Sequence, residues 1–568
     1  MLAHKPIRSL SSAVVLCAPL FVAVAPAVAQ QQDAGQILRQ IEGTTPKPKL
    51  PDAEVIDRRP VPLREISDVP DLKMDIAGYT ILGVPDDEQA AIREKLAVLT
   101  GPDKSFQDLL DAAGVVRSHL NARGYLLAQA YIPEQKLQNG RVDIAVLLGR
   151  LGKVELNYDK ATPVRRSLIE AHLARLETGT VLHTADIERV LFLINDLHGV
   201  RATSTIRPGS EPGSADLVVD VAPEPLVSGQ LQLDNLGSRY TGAMRTNGSL
   251  VVGSPLGLGD SLSFRGMYSE DSGINFGSAS YVVPLGSNGW RVGASLSNLH
   301  YKLLAKEEIP PGNGSALDAL AFALYPIARS RNFNLFAQIG FDYKEFVDNP
   351  EAGAPIERRS RSALMTLSGD LRDPLFGGGI NSFSLGYTLG SLDNPTAQVG
   401  TPAGVFRRVN PFYSRLQAIG QSGFLVFLRY SGQLTADRLD SSEKFSLGGP
   451  TGVRAYPVGE APADEAHVAS AELRYALPNW DGRIPGSLVG ALFMDWGRAK
   501  LDKDPTQAAV ATSDKNTRFL SGAGLGLNWA TAQSWSAQAS VAWHIQGDLQ
   551  NDKVDRHPRV YAQISRYF

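Results

Sequence analysis

The 568 residues include one cysteine, Cys17, close to the amino terminus. The rest of the chain has no thiol, which excludes disulfide staples, thiolate-held zinc and cysteine nucleophiles there. Long apolar runs are also missing. Beyond residue 29 no stretch of about 18 apolar residues occurs, so a membrane-spanning helix is not expected. Neither sign of charge dominates. The formal net charge is −3, and it becomes −5 without residues 1–29, which carry Lys5 and Arg8 and no acid. So mild a balance over such a length gives no case for binding nucleic acid. Catalytic signatures are absent too: there is no GxSxG turn, no HExxH pair and no GxxxxGK phosphate loop. The nine histidines are scattered without ligand spacing. Acid pairs such as Asp86-Asp87 sit at a helix start, where the helix dipole accounts for them. No enzyme, cofactor or metal is expected.

What is present begins with a basic start at Lys5 and Arg8, an apolar run from Ala13 to Ala25, and the small-residue site Ala27-Val28-Ala29. These predict a secretory signal over 1–29. Residues 34–42 can form a short helix. Pro46, Pro48, Pro51, Pro60, Pro62 and Pro70 then mark a tether too polar and too proline-rich to bury a core. From about 71 to 222 a mixed pattern occurs twice. Helices at 87–99 and 105–122 lead to strands at 126–132 and 141–148. A strand at 151–157 then leads to helices at 163–176 and 184–197 and strands at 200–206 and 215–221. Asn121–Gly124 and Asn195–Gly199 read as matching helix ends, closed by a glycine free to take a left-handed backbone. One β-α-α-β-β module repeated once is the simplest reading.

After Pro225 helical spacing gives way to alternation with period two. Trp290, Val292, Ala294 and Leu296 share one face, as do Phe333, Leu335, Ala337 and Ile339, and again Phe383, Leu385, Tyr387 and Leu389. An apolar outside and a polar, glycine-rich inside is the pattern of a transmembrane barrel. It is consistent with 43% hydrophobic residues and a mean hydropathy of only −0.11, since alternation cancels in an average. Roughly sixteen strands can be placed, eleven before residue 440 and five after it, with boundaries free to slip by several residues. Connections after even strands are short: 254–260, 284–289, 373–379 and 421–423. Those after odd strands include the long ones, at 300–314 and 446–467. An even count lets the first and last strands pair and removes both edges. Residues 560–568 place Val560, Ala562, Ile564 and Phe568 on one face, and Phe568 is the aromatic end typical of bacterial outer-membrane barrels. Arg566 interrupts that face at a cost of roughly 0–1 kcal/mol near the membrane boundary.

Four segments in order carry a family resemblance. They are 132–153 (IPEQKLQNGRVDIAVLLGRLGK), 234–242 (DNLGSRYTG) with SPLGLGD after it, 446–456 (SLGGPTGVRAY) and 493–497 (FMDWG). With these the chain resembles the two-partner secretion transporters of the haemolysin secretion/activation (ShlB/FhaC/HecB) type, in the barrel-assembly superfamily. The resemblance implies α+β periplasmic modules plus an all-β membrane barrel. In sequence these are a signal at 1–29, a plug helix and linker at 30–70, POTRA modules at 71–149 and 150–224, and a sixteen-stranded antiparallel barrel at 225–568. It implies export of an unfolded partner protein through the lumen, contact with outer-membrane lipid, and insertion by the barrel-assembly machinery. Barrel insertion of other proteins and passive porin activity are the alternatives; porins need no periplasmic modules.

The site implied by the resemblance is the tip of a long sixth extracellular loop, Val453, Arg454, Ala455 and Tyr456, with Ala455 where glycine is common. Its lumen partners are Phe493, Asp495 and Gly497. Alternation independently sends Leu488, Leu492, Met494 and Trp496 outward and Phe493 and Asp495 inward. A lumen carboxylate there can take a bidentate guanidinium bond if the loop folds in.

Overall fold

A computed structural model of the protein describes residues 32–43, 56–57, 73–304, 310–396, 401–478, 485–505, 516–531, 534–549, 554 and 558–568. The expected signal and most of the tether lie outside the described residues.

The alternating half of the sequence closes into a barrel of sixteen strands among the described residues. All neighbours are antiparallel, from Val227–Asp234 to Arg559–Tyr567, and the first and last strands pair from Gln230↔Tyr567 to Asp234↔Gln563. Phe568 extends this seam by exchanging both backbone hydrogen bonds with Gly229, at 2.9 and 3.1 Å. Apolar side chains point outward while every strand finds two partners, as a β-structure in a membrane requires. The thirteenth strand, Ser487–Lys500, shows the sorting. Leu492, Met494 and Trp496 are 56, 52 and 42% exposed on the outside, whereas Asp495 and Phe493 are 0 and 5% exposed on the inside. Arg566 also faces out, its guanidinium 5.1 Å from the Trp535 ring.

The barrel wall is uneven in height. Strands Gly312–Arg329, Phe333–Pro350 and Ile356–Asp373 have 18 residues each, against 8 to 9 in Val227–Asp234, Arg245–Gly253 and Arg559–Tyr567 at the seam. About 9–11 residues suffice to cross a bilayer, so the tall side projects beyond it. Two expected boundaries move. The connection at 300–314 shrinks to 304–311, because the fifth strand continues to Leu303 and the sixth begins at Gly312. The long loop begins earlier than 446, running from Leu434 to Asp464, and 465–467 already belong to the twelfth strand, Glu465–Leu477. Alternation of small and polar residues marks a strand poorly when it points at a filled lumen rather than at lipid.

Both repeated units fold as β-α-α-β-β. In the first, Arg141–Leu147 pairs in parallel with Gly78–Leu82 and antiparallel with Gln129–Tyr131. Helices Asp86–Leu96 and Phe106–Ala122 cover one face of this sheet, burying Ile92, Leu96, Leu109, Val116 and Leu120 against Val142, Ile144 and Val146. Ser105 and Asp108 form a reciprocal cap at the start of the second helix, satisfying donors a helix start leaves unpaired. In the second unit, Ser214–Pro223 lies between Arg150–Tyr158, which is parallel to it, and Val200–Pro208. Tether residues Ile56–Asp57 add to the far side of Val200–Pro208. The helix expected at 163–176 is confined to Arg166–Leu173.

The two matching glycines differ in role. Gly124, at φ +99°, follows the helix end and makes the joint between the units. Its carbonyl accepts from Thr184 N at 2.9 Å, and a Cβ there would lie 2.6 Å from the His183 ring. Gly199, at φ +85°, lies past the helix C-cap Asp196 and turns the chain into the next strand. The second unit is fastened beneath the barrel. Arg189 donates to the carbonyls of Pro326 and Ile327, each at 3.1 Å. Asp196 takes two bonds from Arg329 at 2.8 and 3.2 Å. His198 is held between turn residues, accepting from Ser254 Oγ at 2.8 Å and donating to Gly259 O at 3.1 Å.

Candidate functional site: the loop and helix that fill the lumen

Leu434–Asp464 cannot remain an open loop given its composition. Leu447, Val453, Ala455, Tyr456 and Ala461 are apolar, and all are buried against Ala466, Val468, Phe493, Leu520 and Ala542 of the barrel wall. The loop folds inward, bringing the expected tip residues onto the expected strand. Arg454 donates to Asp495 twice, Nε to Oδ2 at 2.8 Å and Nη2 to Oδ1 at 2.7 Å. Its backbone N–H donates to Oδ2 at 3.0 Å. The guanidinium lies 3.4 Å from the Phe493 ring centroid and reaches Glu472 at 2.7 Å and Ser470 Oγ at 3.0 Å. A planar, delocalised cation stacked on an aromatic face and forked onto a carboxylate is an arrangement lysine cannot reproduce.

The rest of the tip is held by shape. Tyr456 stacks on His544 at 4.3 Å and 11°, its hydroxyl donates to Gln546 O at 2.7 Å, and its carbonyl accepts from Tyr561 at 2.9 Å. Gly497 leaves room for Val453, whose Cγ2 would be 3.0 Å from an added Cβ. Ala455 does not use the left-handed backbone, so the freedom of glycine is not needed at this tip. Its Cβ instead fills the space left by Gly522, where an added Cβ would lie 2.5 Å away. Gly522→Ala is therefore expected to lift the tip, since such overpacking costs about 1–3 kcal/mol. Restoring the space with Ala455→Gly in the same chain should recover much of the docking. Protease cleavage of the loop in intact cells reads both; equal cleavage in wild type and Gly522→Ala would refute this fit.

Sequence reasoning missed Ser470, Glu472, His544 and Gly522. Ser470 and Glu472 lie on the inward parity of the twelfth strand, and Asp495 is directly opposite Ser470 and Gly522 in the two ladders that flank it. Parity was available in the sequence, but pairing across strands was not.

The amino-terminal helix, Ala34–Gly43, also occupies the lumen. Asp33 caps it, accepting from Gln36 N at 2.9 Å. Ala34, Ile37, Leu38 and Ile41 recur at helical spacing and pack on Met267, Leu299, Tyr301, Leu303, Ala316 and Phe346, on the upper part of the tall wall. Polar contacts complete the seat: Arg39 to Gln433 at 2.6 Å, Glu42 to Lys344 at 2.8 Å and Asp33 to Arg358 at 3.2 Å. Gly35 allows close approach to the loop, since a Cβ there would fall 2.4 Å from Ser442 Cβ. Arg358 also holds Asp348 of the wall at 2.5 Å and Asp440 of the loop root at 3.0 Å. One guanidinium thus joins helix, wall and loop. None of these three carboxylates was legible beforehand, because Asp33 and Asp440 reach Arg358 from distant parts of the chain and Asp348 from the neighbouring strand.

Comparison with known proteins agrees with this architecture. The model of the family described as haemolysin secretion/activation protein ShlB/FhaC/HecB matches residues 213–529, and that of the POTRA domain, ShlB-type, matches 75–149. The heme/hemopexin transporter protein HuxB of Haemophilus influenzae (strain 86-028NP) is 27% identical over 554 residues, covering 94% of this chain and 95% of the relative. Outer membrane transporter CdiB-2 of Burkholderia pseudomallei (strain 1026b) is 27% identical over 452 residues, 75% of each chain. Among solved structures, CdiB from Escherichia coli superposes with a TM-score of 0.68 at 19% identity, covering 89% of this chain and 93% of that one, which speaks to the fold alone. The chain belongs to the haemolysin secretion/activation protein ShlB/FhaC/HecB family, outer-membrane transporters with periplasmic POTRA domains that export a partner protein.

Proposed function

We propose that this chain exports its partner unfolded, along a path the loop and the helix close at rest, and that it performs no catalysis. The carrying observation is the double filling of the lumen: a buried Arg454–Asp495 pair holds the loop tip, and a separate helix is seated beside it. A passive porin has no use for two such obstructions. Phe493 and Gly497 shape the socket for the tip, with Val453 and Tyr456 filling it, and Phe568 completes the seam. In this reading residues 1–29 are the export signal, 30–70 the plug helix and tether, 71–149 and 150–224 two POTRA modules, and 225–568 the barrel. The modules offer sheet edges and helix–strand grooves that capture an extended chain through main-chain bonding with little sequence preference. Outer-membrane lipid surrounds the wall, and the barrel-assembly machinery inserts it. Refolding of the partner outside drives passage, since folded chain does not slide back.

Deleting the gene in its host tests the reading without knowing the partner. One large protein should vanish from the medium and cell surface while the set of outer-membrane barrels stays unchanged. Loss of several barrels from the membrane, with secretion intact, would instead make this chain an insertion factor.

A further inference from the structure

The lumen has two unlike sides. The tall wall carries the helix and a concentration of fixed charge, including Asp342, Lys344, Asp348 and Arg358, all buried. Beside the helix seat, toward the seam, lies an open cavity of about 1110 Å³, lined by the first four and last three strands and roofed by Pro450, Thr451 and Arg454 of the loop tip. Among the described residues, no aspartate or glutamate lines this cavity. Two of its three arginines, Arg245 and Arg454, are spoken for by Asp234 and Asp495 at 2.8 and 2.7 Å. Arg265 has interactions of its own, and beside it and the apolar Val251, Met267 and Phe276 the space is faced by amides and a hydroxyl: Gln230, Gln232, Asn247, Ser249, Gln538 and Gln563.

Register sets these side chains beside one another. Gln538 lies opposite Gln563, Gln232 opposite Asn247, and Gln230 opposite Ser249; across the seam Gln232 lies opposite Ser565, while Gln563 lies opposite Asp234, the partner of Arg245. At rest Gln230 bonds to Gln232 at 3.2 Å and to Ser565 at 3.1 Å, while Gln232 and Asn247 also donate to Asp234 Oδ2 at 2.7 and 2.8 Å. Amides and hydroxyls donate and accept alike, so each can trade its neighbour for a passing backbone group.

We propose that the partner in transit runs along this seam wall, as an extended chain whose backbone groups are solvated by the row of amides and hydroxyls. The reason is energetic. A hydrogen bond between neutral groups holds more weakly than one to a charged group. A moving chain needs contacts that replace water yet release quickly, and it must tolerate side chains of either charge. The seam wall meets both needs, whereas the tall wall would hold or repel charged segments. The loop tip roofs the cavity, so undocking Arg454 opens this track to the outside. The inference rests on the export reading above.

Photo-crosslinking distinguishes the two. Benzoylphenylalanine is placed in the full chain at Gln232 or Gln563 on the seam wall, and at Gln338 or Thr366, a facing pair on the inward parity of the tall wall. The probe is a biotinylated, unstructured peptide rich in Gly, Ser and Asn, ending in a folded disulfide-closed module that stalls it, and added to proteoliposomes on the module side. Adducts at the seam positions should exceed those at the tall wall about tenfold, the ratio set by a preference of about 1.4 kcal/mol. Equal adducts on both walls, or more at Gln338 and Thr366, overturn the track while leaving export intact. Adducts at none of the four positions remove the export reading itself, and the track with it.

Discussion

Asp495→Ala and Arg454→Ala are each expected to unseat the loop tip, and so to alter both export and ion conductance, while the barrel still folds. The carboxylate is fully buried and accepts two guanidinium bonds, the Arg454 backbone N–H and Ser470 Oγ. Removing it leaves a buried guanidinium with only Glu472 in reach as counter-charge. Breaking a buried pair by deleting one partner costs about 3–5 kcal/mol. At about 1.4 kcal/mol per tenfold, that shifts loop docking by factors from about a hundred to several thousand, enough to empty the docked state. Arg454→Lys should rescue little, because a point charge can neither fork onto Asp495 nor stack on Phe493 in the same way. Secreted protein in the medium and ion conductance in planar bilayers are the readouts, with heat-modifiable migration of the barrel as the folding control. Unaltered secretion and conductance in both alanine variants would remove the lock from the mechanism.

Arg358→Ala should have the second largest effect, and of a different kind: it opens the resting pore. Asp33, Asp348 and Asp440 converge on this one guanidinium, and without it three carboxylates face each other in a confined space. Like charges brought so close are unfavourable, and the parts free to separate are the helix, through Asp33, and the loop root, through Asp440. A shift of about 5.5 kcal/mol converts a 1:99 equilibrium into 99:1, so losing an ion pair of this buried kind, at about 3–5 kcal/mol, is enough to make the unplugged state prominent. Resting conductance should rise, and a cysteine-reactive reagent should label a cysteine placed at Leu38, which the lumen wall buries in the wild type. Because the thiol-free chain beyond Cys17 gives no background, the labelling is clean. Wild-type conductance together with a protected Leu38→Cys would show that apolar packing alone seats the helix.

The fold was legible to a large extent because a barrel wall is written in local code. Alternation with period two fixes which side chains face lipid, and connection lengths fix which end is which; Leu492, Met494 and Trp496 took their expected side for that reason. The paired modules were legible through helix spacing. The site was legible only in part. Alternation placed Asp495 and Phe493 inward, and family resemblance joined them to Arg454. Glu472, Ser470 and Gly522 stayed hidden because their importance comes from lying beside Asp495 in neighbouring strands. The end of the long loop was misplaced since Ala466 and Val468 face a packed interior while Glu465 and His467 take the opposite parity, the reverse of the wall's usual contrast.

By itself, then, the sequence determined the number and facing of the strands, the repeated module, and the absence of thiols and long apolar runs beyond residue 29, since each depends on residues near one another in the chain. Only the tertiary structure decided what fills the barrel. The helix at 34–43, the loop root at 440 and the wall at 348 and 358 are brought together by closure of the sheet. Three carboxylates share one guanidinium only in that arrangement, and no local pattern can encode a contact that exists only once the chain has closed on itself.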